Sequence, residues 1–271
     1  MCQVIEIARS GYYLWKKKFE NNEFSKDKKI ADKIKEIFNR FRKVYGSRKI
    51  VKELKRQGIT VNRKKVQRIM RENNIVPITV KKYKATTNSK HRFPVSDNLI
   101  KDLEITTIGQ VWVTDITYIG TEEGWLYLAT VEDILSKEIV GYAMSDRINT
   151  DLTLTALRCA ITRHNPAKGL IHHSDRGVQY ANYRYRDELE ENGMISSMSR
   201  KGNPYDNACM ESFNSILKKE LIYPSKKYTT RQEARLEIFE YIEAFYNKER
   251  IHSSIDYMTP IEYRTQYLRA S

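Results

Sequence analysis

Three runs rich in Val, Ile, Tyr, Trp and Thr follow one another so closely that only tight turns can join them. They cover 110–119, 124–132 and 138–146, with Thr121-Glu122-Glu123 and Ser136-Lys137 in the gaps. No crossover helix fits between them, so the spacing predicts an antiparallel meander. Beyond it the hydrophobic period alternates: 151–164 reads as a helix, 169–173 as a strand, 182–192 as a helix and 194–198 as a strand. The order βββαβαβα predicts an α/β fold in which helices flank one mixed sheet. Further on, Thr230 and Glu233 have the spacing of a capping box, which opens a long helix through Tyr246 with Ile238, Phe239, Ile242 and Phe245 facing the core.

The region before the meander has a different character. Ile30, Ile34, Ile37, Phe38 and Phe41 form one stripe of a helix over 27–41. Ile50, Val51 and Leu54 mark a second helix, over 47–57, which Gly58 stops. Asn62 caps a third, whose inner face is Val66, Ile69 and Met70 and whose remaining surface carries Arg63, Lys64, Lys65, Arg68 and Arg71. Short helices ending in a basic one predict a helix-turn-helix-like module, and those five cations are the candidate DNA contacts. The charge supports this reading: the chain's net charge is +14, and residues 1–110 hold 28 Lys and Arg against 11 Asp and Glu. Excess cations of this kind neutralise phosphates. The segment 85–98 loses all helical period and reads as linker. The expected boundaries are therefore 1–84 for the basic module, 85–109 for the linker, 110–225 for the sheet domain and 226–271 for a helical C-terminal extension.

Other classes are disfavoured. No run of about 18 uncharged apolar residues is present, and Met1–Ser10 lacks the pattern of a secretory leader, so the expected location is the cytoplasm, with no membrane partner. Cys2, Cys159 and Cys209 are too scattered for a disulfide framework or a Cys-x-x-Cys zinc site.

Three acidic residues stand out. Asp115 interrupts the apolar run 111–119, where an ionised carboxylate needs a compensating cation or hydrogen-bond donors. Asp175 follows the strand that ends in Ile171-His172-His173-Ser174, at the sheet edge where functional groups concentrate. Glu211 sits on an expected helix over 206–221 beside Met210, Phe213, Leu217 and Leu221. Each alone has an ordinary structural explanation. Together they describe an all-oxygen site suited to Mg²⁺ or Mn²⁺, and two such ions suit in-line phosphoryl displacement. In this reading Asp115 bridges the ions while Asp175 and Glu211 hold one each. Lys218, seven residues beyond Glu211, is a candidate phosphate contact, and Asn207 a candidate DNA contact or helix cap. His173 is expected to pack near Asp175, Asp133 to serve a turn, and Asp206 is the weaker rival to Glu211.

Thirty-five residues separate Asp175 from Glu211, and Trp112-Val113-Thr114-Asp115-Ile116-Thr117-Tyr118 precedes them. This pattern resembles the D,D(35)E core of retroviral integrases and insertion-sequence transposases. His173-Ser174-Asp175-Arg176-Gly177-Val178-Gln179-Tyr180, Gly202-Asn203-Pro204-Tyr205-Asp206-Asn207, and Tyr246-Asn247, Arg250 and His252 before Thr259-Pro260 are similar to the second-frame product of insertion sequence family three. Ser10-Gly11-Tyr12-Tyr13 and Tyr45-Gly46-Ser47-Arg48 extend the likeness over nearly the whole chain. Ile108-Gly109 departs from the family's usual Pro-Asn pair without touching the acids. No His/Cys zinc module of the retroviral kind precedes the core. The resemblance implies an RNase H-like catalytic fold, Mg²⁺ dependence with Asp115, Asp175 and Glu211 as catalytic ligands, and DNA cleavage at transposon ends followed by strand transfer. It also implies a first-frame partner, supplied separately or by fusion, and a homo-oligomer on DNA. Two alternatives share parts of this reading: an RNase H-fold nuclease that cleaves without joining, and a non-catalytic DNA-binding modulator of the fused enzyme. A tyrosine or serine recombinase would need a base or Arg cluster around its nucleophile that the sequence does not offer.

Overall fold

The computed structural model describes residues 8–20, 23–78, 96–199, 208–225 and 227–270. The chain divides into two compact units, Met1–Thr79 and Val80–Ser271. The first holds helices α1 (Arg9–Glu20), α2 (Glu23–Arg40), α3 (Ser47–Arg56) and α4 (Arg63–Glu72). The expected stripe closes its core, with Ile34, Ile37, Phe41, Ile50, Leu54, Val66 and Ile69 all buried. Tyr45 stacks on Phe41 with ring centroids 4.2 Å apart. The Asn62 side chain accepts the Lys64 amide at 2.8 Å, capping α4 as anticipated. Helix α1 escaped the reading of the sequence, because its Tyr13, Leu14, Trp15 and Phe19 are exposed and show no buried face.

The second unit contains strands β1 (Val111–Thr121), β2 (Gly124–Asp133) and β3 (Ile139–Ser145), helix α5 (Thr150–His164) and strand β4 (Ile171–Ser174). Helices α6 (Val178–Ala181) and α7 (Tyr183–Glu191), strand β5 (Ile195–Met198) and helices α8 (Ala208–Leu217), α9 (Arg231–Glu240) and α10 (Pro260–Ala270) follow. The sheet order is β3-β2-β1-β4-β5. β1 is antiparallel to β2 and parallel to β4, and β4 is parallel to β5. The predicted meander is present, and the later strands join its open side through helical crossovers.

Alternation along β1 assigns the two faces. Trp112 joins Ala129, Val131 and Val140 in a core completed by α5, α6 and α7. Gly141 permits this packing, since a Cβ there would lie 2.5 Å from the Ala156 carbonyl and 2.6 Å from the Ala160 Cβ. Val111 and Val113 point the other way, against Ile100, Leu103 and Ile105. The expected linker therefore ends earlier than 109. Its part within 96–109 is fastened to the sheet by these apolar side chains and by the Leu99 amide, which donates to the Ser197 hydroxyl at 2.9 Å. The part of the linker before 96 lies outside the described residues.

The C-terminal extension covers the second face, where α8 and α9 pack on β1 and β2. Both helices end in π-helical turns, Lys218–Ile222 after α8 and Tyr241–Tyr246 after α9. A buried ion pair joins them: Arg250 donates through Nη2 and Nε to the Glu220 carboxylate at 2.7 and 2.8 Å. The Tyr241 hydroxyl donates to the same carboxylate at 2.8 Å. Asn247 replaces a neighbouring strand for Ile139, accepting its amide at 3.0 Å and donating to its carbonyl at 3.1 Å. Among the described residues no helix is long and apolar enough to cross a membrane.

Breaking a buried ion pair leaves an uncompensated charge. Arg250→Met is expected to lower the unfolding free energy by about 3–5 kcal/mol in urea titration, and Glu220→Leu added to it to recover much of the loss. Burial pushes Glu132 up to about 8, with the Lys137 ammonium opposing. The folded state thus holds a proton that the unfolded chain releases near its ordinary value of 4.5. Stability from this group is complete below that value and is lost as pH rises through about 8. Melts across this window are expected to show the parent chain falling relative to Glu132→Gln as pH rises.

Candidate active site

β4 pairs with β1 through Val111–Ile171, Trp112–His172 and Val113–His173. Continuing that parallel register by two residues brings Asp115 level with Asp175, at the point where β4 ends and β1 runs on. Both carboxylates are half-buried. Burial pushes Asp115 up to about 7 and the Asp175 charge adds to the rise, while the Ile116 amide, Asn214 and Lys218 oppose it.

Each acid is held in place. Asp115 Oδ1 accepts the Ile116 amide at 2.8 Å, and Oδ2 accepts Asn214 Nδ2 at 2.8 Å. Asn214 is buried on α8, three residues after Glu211, and its Oδ1 has no partner among the described residues. Asp175 caps its own turn, its Oδ1 accepting the Gly177 amide at 2.8 Å. The Ser174 hydroxyl donates to the Asp175 carbonyl at 2.9 Å, and Arg176 Nε donates to the Ser199 carbonyl at 2.8 Å. A Cβ at Gly177 would stand 2.8 Å from the Asp175 carboxylate, so a larger residue there would push that carboxylate aside.

Helix α8 crosses β1 and brings Glu211 to this region along its backbone, and the Glu211 side chain lies outside the described residues. Lys218 begins the π-helical turn after α8. It is half-buried, and burial lowers its pKa while the Asp115 charge opposes that shift. Asp115 thus lies within reach of both the Asp175 charge and the Lys218 ammonium. Among the described residues no three His, Cys, Asp or Glu side chains come together as a metal site. Asn207 and Asp206 fall outside the described residues.

The remaining candidates separate clearly. His173 is buried, with Nδ1 2.9 Å from the Ser197 hydroxyl, so it packs the β4–β5 pair as expected. Asp133 serves its turn, accepting the Ser136 and Gly109 amides at 2.8 and 2.7 Å. On α4, Arg63, Lys64 and Arg71 are exposed. Lys65 and Arg68 instead both reach Asp27 of α2 at 2.6 Å, and Arg68 also pairs with Glu72 at 3.1 Å. Those two cations tie α4 to α2, a role that side-chain type alone does not reveal. The contacts of Asn214 with Asp115 and of Gly177 with Asp175 were also not foreseen. Gly177 stood within a matched motif, whereas a helical asparagine carries no pattern of its own.

The integrase core domain families match residues 106–204 and 211–268, and the HTH-like domain family matches 25–83. Together with the sheet order, they define an RNase H-like integrase core preceded by a helix-turn-helix-like module. A protein of insertion element IS600 from Shigella sonnei is 44% identical over 98% of this chain and 98% of its own length. Transposase InsF of insertion sequence IS3A from Escherichia coli (strain K12) is 35% identical over 99% of this chain and 94% of its own. The magnesium-bound HTLV-2 integrase catalytic core domain superposes with a TM-score of 0.43 and 13% identity, covering 57% of this chain and 94% of that one. The chain belongs to the insertion sequence family three transposases.

Asn214→Ala and Gly177→Ala are each expected to lower DNA-end cleavage about 10-fold or more with little change in melting temperature, because each alters the aim of one carboxylate. Asn214→Asp is expected to be worse than Asn214→Ala, since it sets a third negative charge against Asp115.

Proposed function

We propose that the chain is a DNA transposase that hydrolyses a phosphodiester at each transposon end and then joins the freed end to target DNA. The observation that carries this reading is the placement of Asp175, just past the end of β4, level with Asp115 on its parallel neighbour β1, with α8 bringing Glu211 to the same region. The proposed division of the chain is a DNA-binding module at 1–84, a connection ending near 95, a catalytic core at 110–225 and its helical extension at 226–271.

The donor chemistry fits divalent cations of the Mg²⁺ class, for which Mn²⁺ would substitute. The candidate ligands are carboxylates, and the mutual repulsion that helps push Asp115 up to about 7 is what a cation between them relieves. Asp115, Asp175 and Glu211 would hold two ions, which when bound supply activation of the attacking oxygen and stabilisation of the leaving one. Asn214 and the Ile116 amide orient the Asp115 carboxylate, and the Gly177 turn orients Asp175. Lys218 offers its ammonium to a phosphate oxygen beside the reacting centre. In the first reaction water adds to phosphorus and a 3′-hydroxyl leaves. In the second that hydroxyl adds to a target phosphorus and a target 3′-oxygen leaves, so no protein–DNA bond forms. On α4, Arg63, Lys64 and Arg71 are the cations most available to DNA, with Lys65 and Arg68 contributing through the face they hold. A first-frame product, separate or fused, would supply end recognition, and a homo-oligomer in the cytoplasm would hold the two ends.

Asp115→Asn, Asp175→Asn and Glu211→Gln are each expected to abolish nicking and joining of labelled element ends on gels with Mg²⁺ or Mn²⁺, with DNA binding retained. Wild-type nicking by Glu211→Gln would reject the assignment, and nicked but never joined products would reject strand transfer. Lys218→Ala is expected to weaken binding of DNA ends without lowering Mn²⁺ affinity measured calorimetrically. Unchanged end binding would remove that contact.

A further inference from the structure

Tyr180 closes the motif His173-Ser174-Asp175-Arg176-Gly177-Val178-Gln179-Tyr180, and the reaction above gives it no task. It belongs to the core that α5, α6 and α7 complete, and is 2% exposed. A phenylalanine would fill that volume equally well. The hydroxyl loses its hydration on burial and needs a bond to offset the loss. That bond goes to the strand that carries Asp115: the Tyr180 hydroxyl lies 3.3 Å from the Thr114 hydroxyl. Thr114 Oγ1 already donates its hydrogen to the Thr130 carbonyl at 2.8 Å, so Tyr180 is the donor to Thr114.

The backbone of Tyr180 belongs to the turn of Asp175. Its amide donates to the Gly177 carbonyl at 3.0 Å, and the Gly177 amide donates to Asp175 Oδ1 at 2.8 Å. One run of bonds thus leads from the Asp175 carboxylate through Gly177, Tyr180 and Thr114 to Thr130, the cross-strand partner of Asp115. The ring is steadied by Tyr185, edge-on at 5.4 Å, whose own hydroxyl lies 3.1 Å from His172 Nε2 on β4. This run continues where the backbone ladder stops. Pairing of β1 with β4 ends at Val113–His173, so Thr114 and Asp115 on one strand, and Ser174 and Asp175 after the other, lie beyond the last pair. There the two carboxylates repel each other. Both charges also reach the Tyr180 hydroxyl, adding to the rise that burial and Tyr185 impose on it against the Thr114 bond, so the phenol keeps its proton and remains a donor.

We propose that Tyr180 is a positioning residue whose hydroxyl, acting through Thr114, fixes the separation of the Asp115 and Asp175 segments beyond the end of the ladder and so sets the affinity of the two acids for divalent cations. The proposal rests on the transposase reading for the identity of the cations. Alternation along β1 puts Thr114 on the face of Trp112 and Asp115 on the other, so Tyr180 works from the side of the sheet away from the Asp115 carboxylate. Groups that hold a ligand from behind in this way typically change metal affinity about 10- to 100-fold when removed.

The test compares the full chain with Tyr180→Phe, Thr114→Val and the double variant. Free Mn²⁺ is followed by its electron paramagnetic resonance signal during titration, and thermal melts and nicking of labelled element ends are measured on the same preparations. Tyr180→Phe keeps the ring and is expected to weaken Mn²⁺ binding about 10-fold or more. Thr114→Val is expected to weaken it as well, and the double variant to be no worse than the more affected single one, because both remove the same bond. Leu189→Ala, a truncation on α7 in the same core, is expected to lower the melting temperature more than Tyr180→Phe does and to leave Mn²⁺ affinity unchanged. Unchanged Mn²⁺ affinity in Tyr180→Phe would overturn the proposal. So would losses that multiply in the double variant, or an equal loss in Leu189→Ala. Nicking by a chain whose Mn²⁺ affinity is indifferent to Tyr180 removes the positioning role and keeps the transposase. Mn²⁺ binding that depends on Tyr180 in a chain that does not nick keeps the positioning role and removes the activity. A parent chain that binds no Mn²⁺ overturns both.

Discussion

Parallel pairing of β1 with β4 sets two like charges side by side at the place where one strand stops and its neighbour continues. In a half-buried setting this is unfavourable for folding, and much of the surrounding structure holds it in place. The Ile116 amide and Asn214 stabilise one carboxylate, the Gly177 turn fixes the other, and Lys218 supplies positive charge from the far side. Such a site is poorly satisfied by the protein alone, which supports the proposal that it receives cations.

The second face of the sheet supports this arrangement. Helix α8 and the turn after it are also held by the C-terminal extension: Phe213 meets Tyr246 edge-on at 4.9 Å, and Glu220 is clamped by Arg250 and Tyr241. π-helical turns are uncommon and tend to occur where function demands a local change of helical phase. Here one of them starts at Lys218, so the residues that follow it, Glu220 among them, are turned out of the phase that a continuous α-helix would give them.

The meander, the alternation that follows it and the Thr230 capping box were legible because hydrophobic period, turn length and cap spacing are local properties. Asp115 was legible because an acid within an apolar run conflicts with its surroundings, and the spacing from Asp175 to Glu211 carried the rest. Asn214 was not, because its importance comes from a bond to a residue 99 positions earlier. The same holds for Lys65 and Arg68, which look like DNA-facing cations until α2 brings Asp27 against them. The expected linker ran too far for a related reason: Leu99, Ile100, Leu103 and Ile105 are too few and too irregular to show a period, yet three of them pack against Val111 and Val113. The Thr230 cap was located correctly, although its reciprocal bond goes from the Thr229 amide to Glu233.

The Glu220–Arg250 clamp also affects timing. Its partners are 30 residues apart, and the helix they steady reaches back to a strand formed from much earlier chain. Contacts of long sequence separation form late, and a chain emerging from the ribosome makes its early elements first. The sheet with α5, α6 and α7 on one face can assemble while the other face is still bare. Asp115 and Asp175 are then set by the strands before the clamp closes, and the helix that carries Asn214 is steadied only once a residue 30 positions beyond Glu220 has arrived.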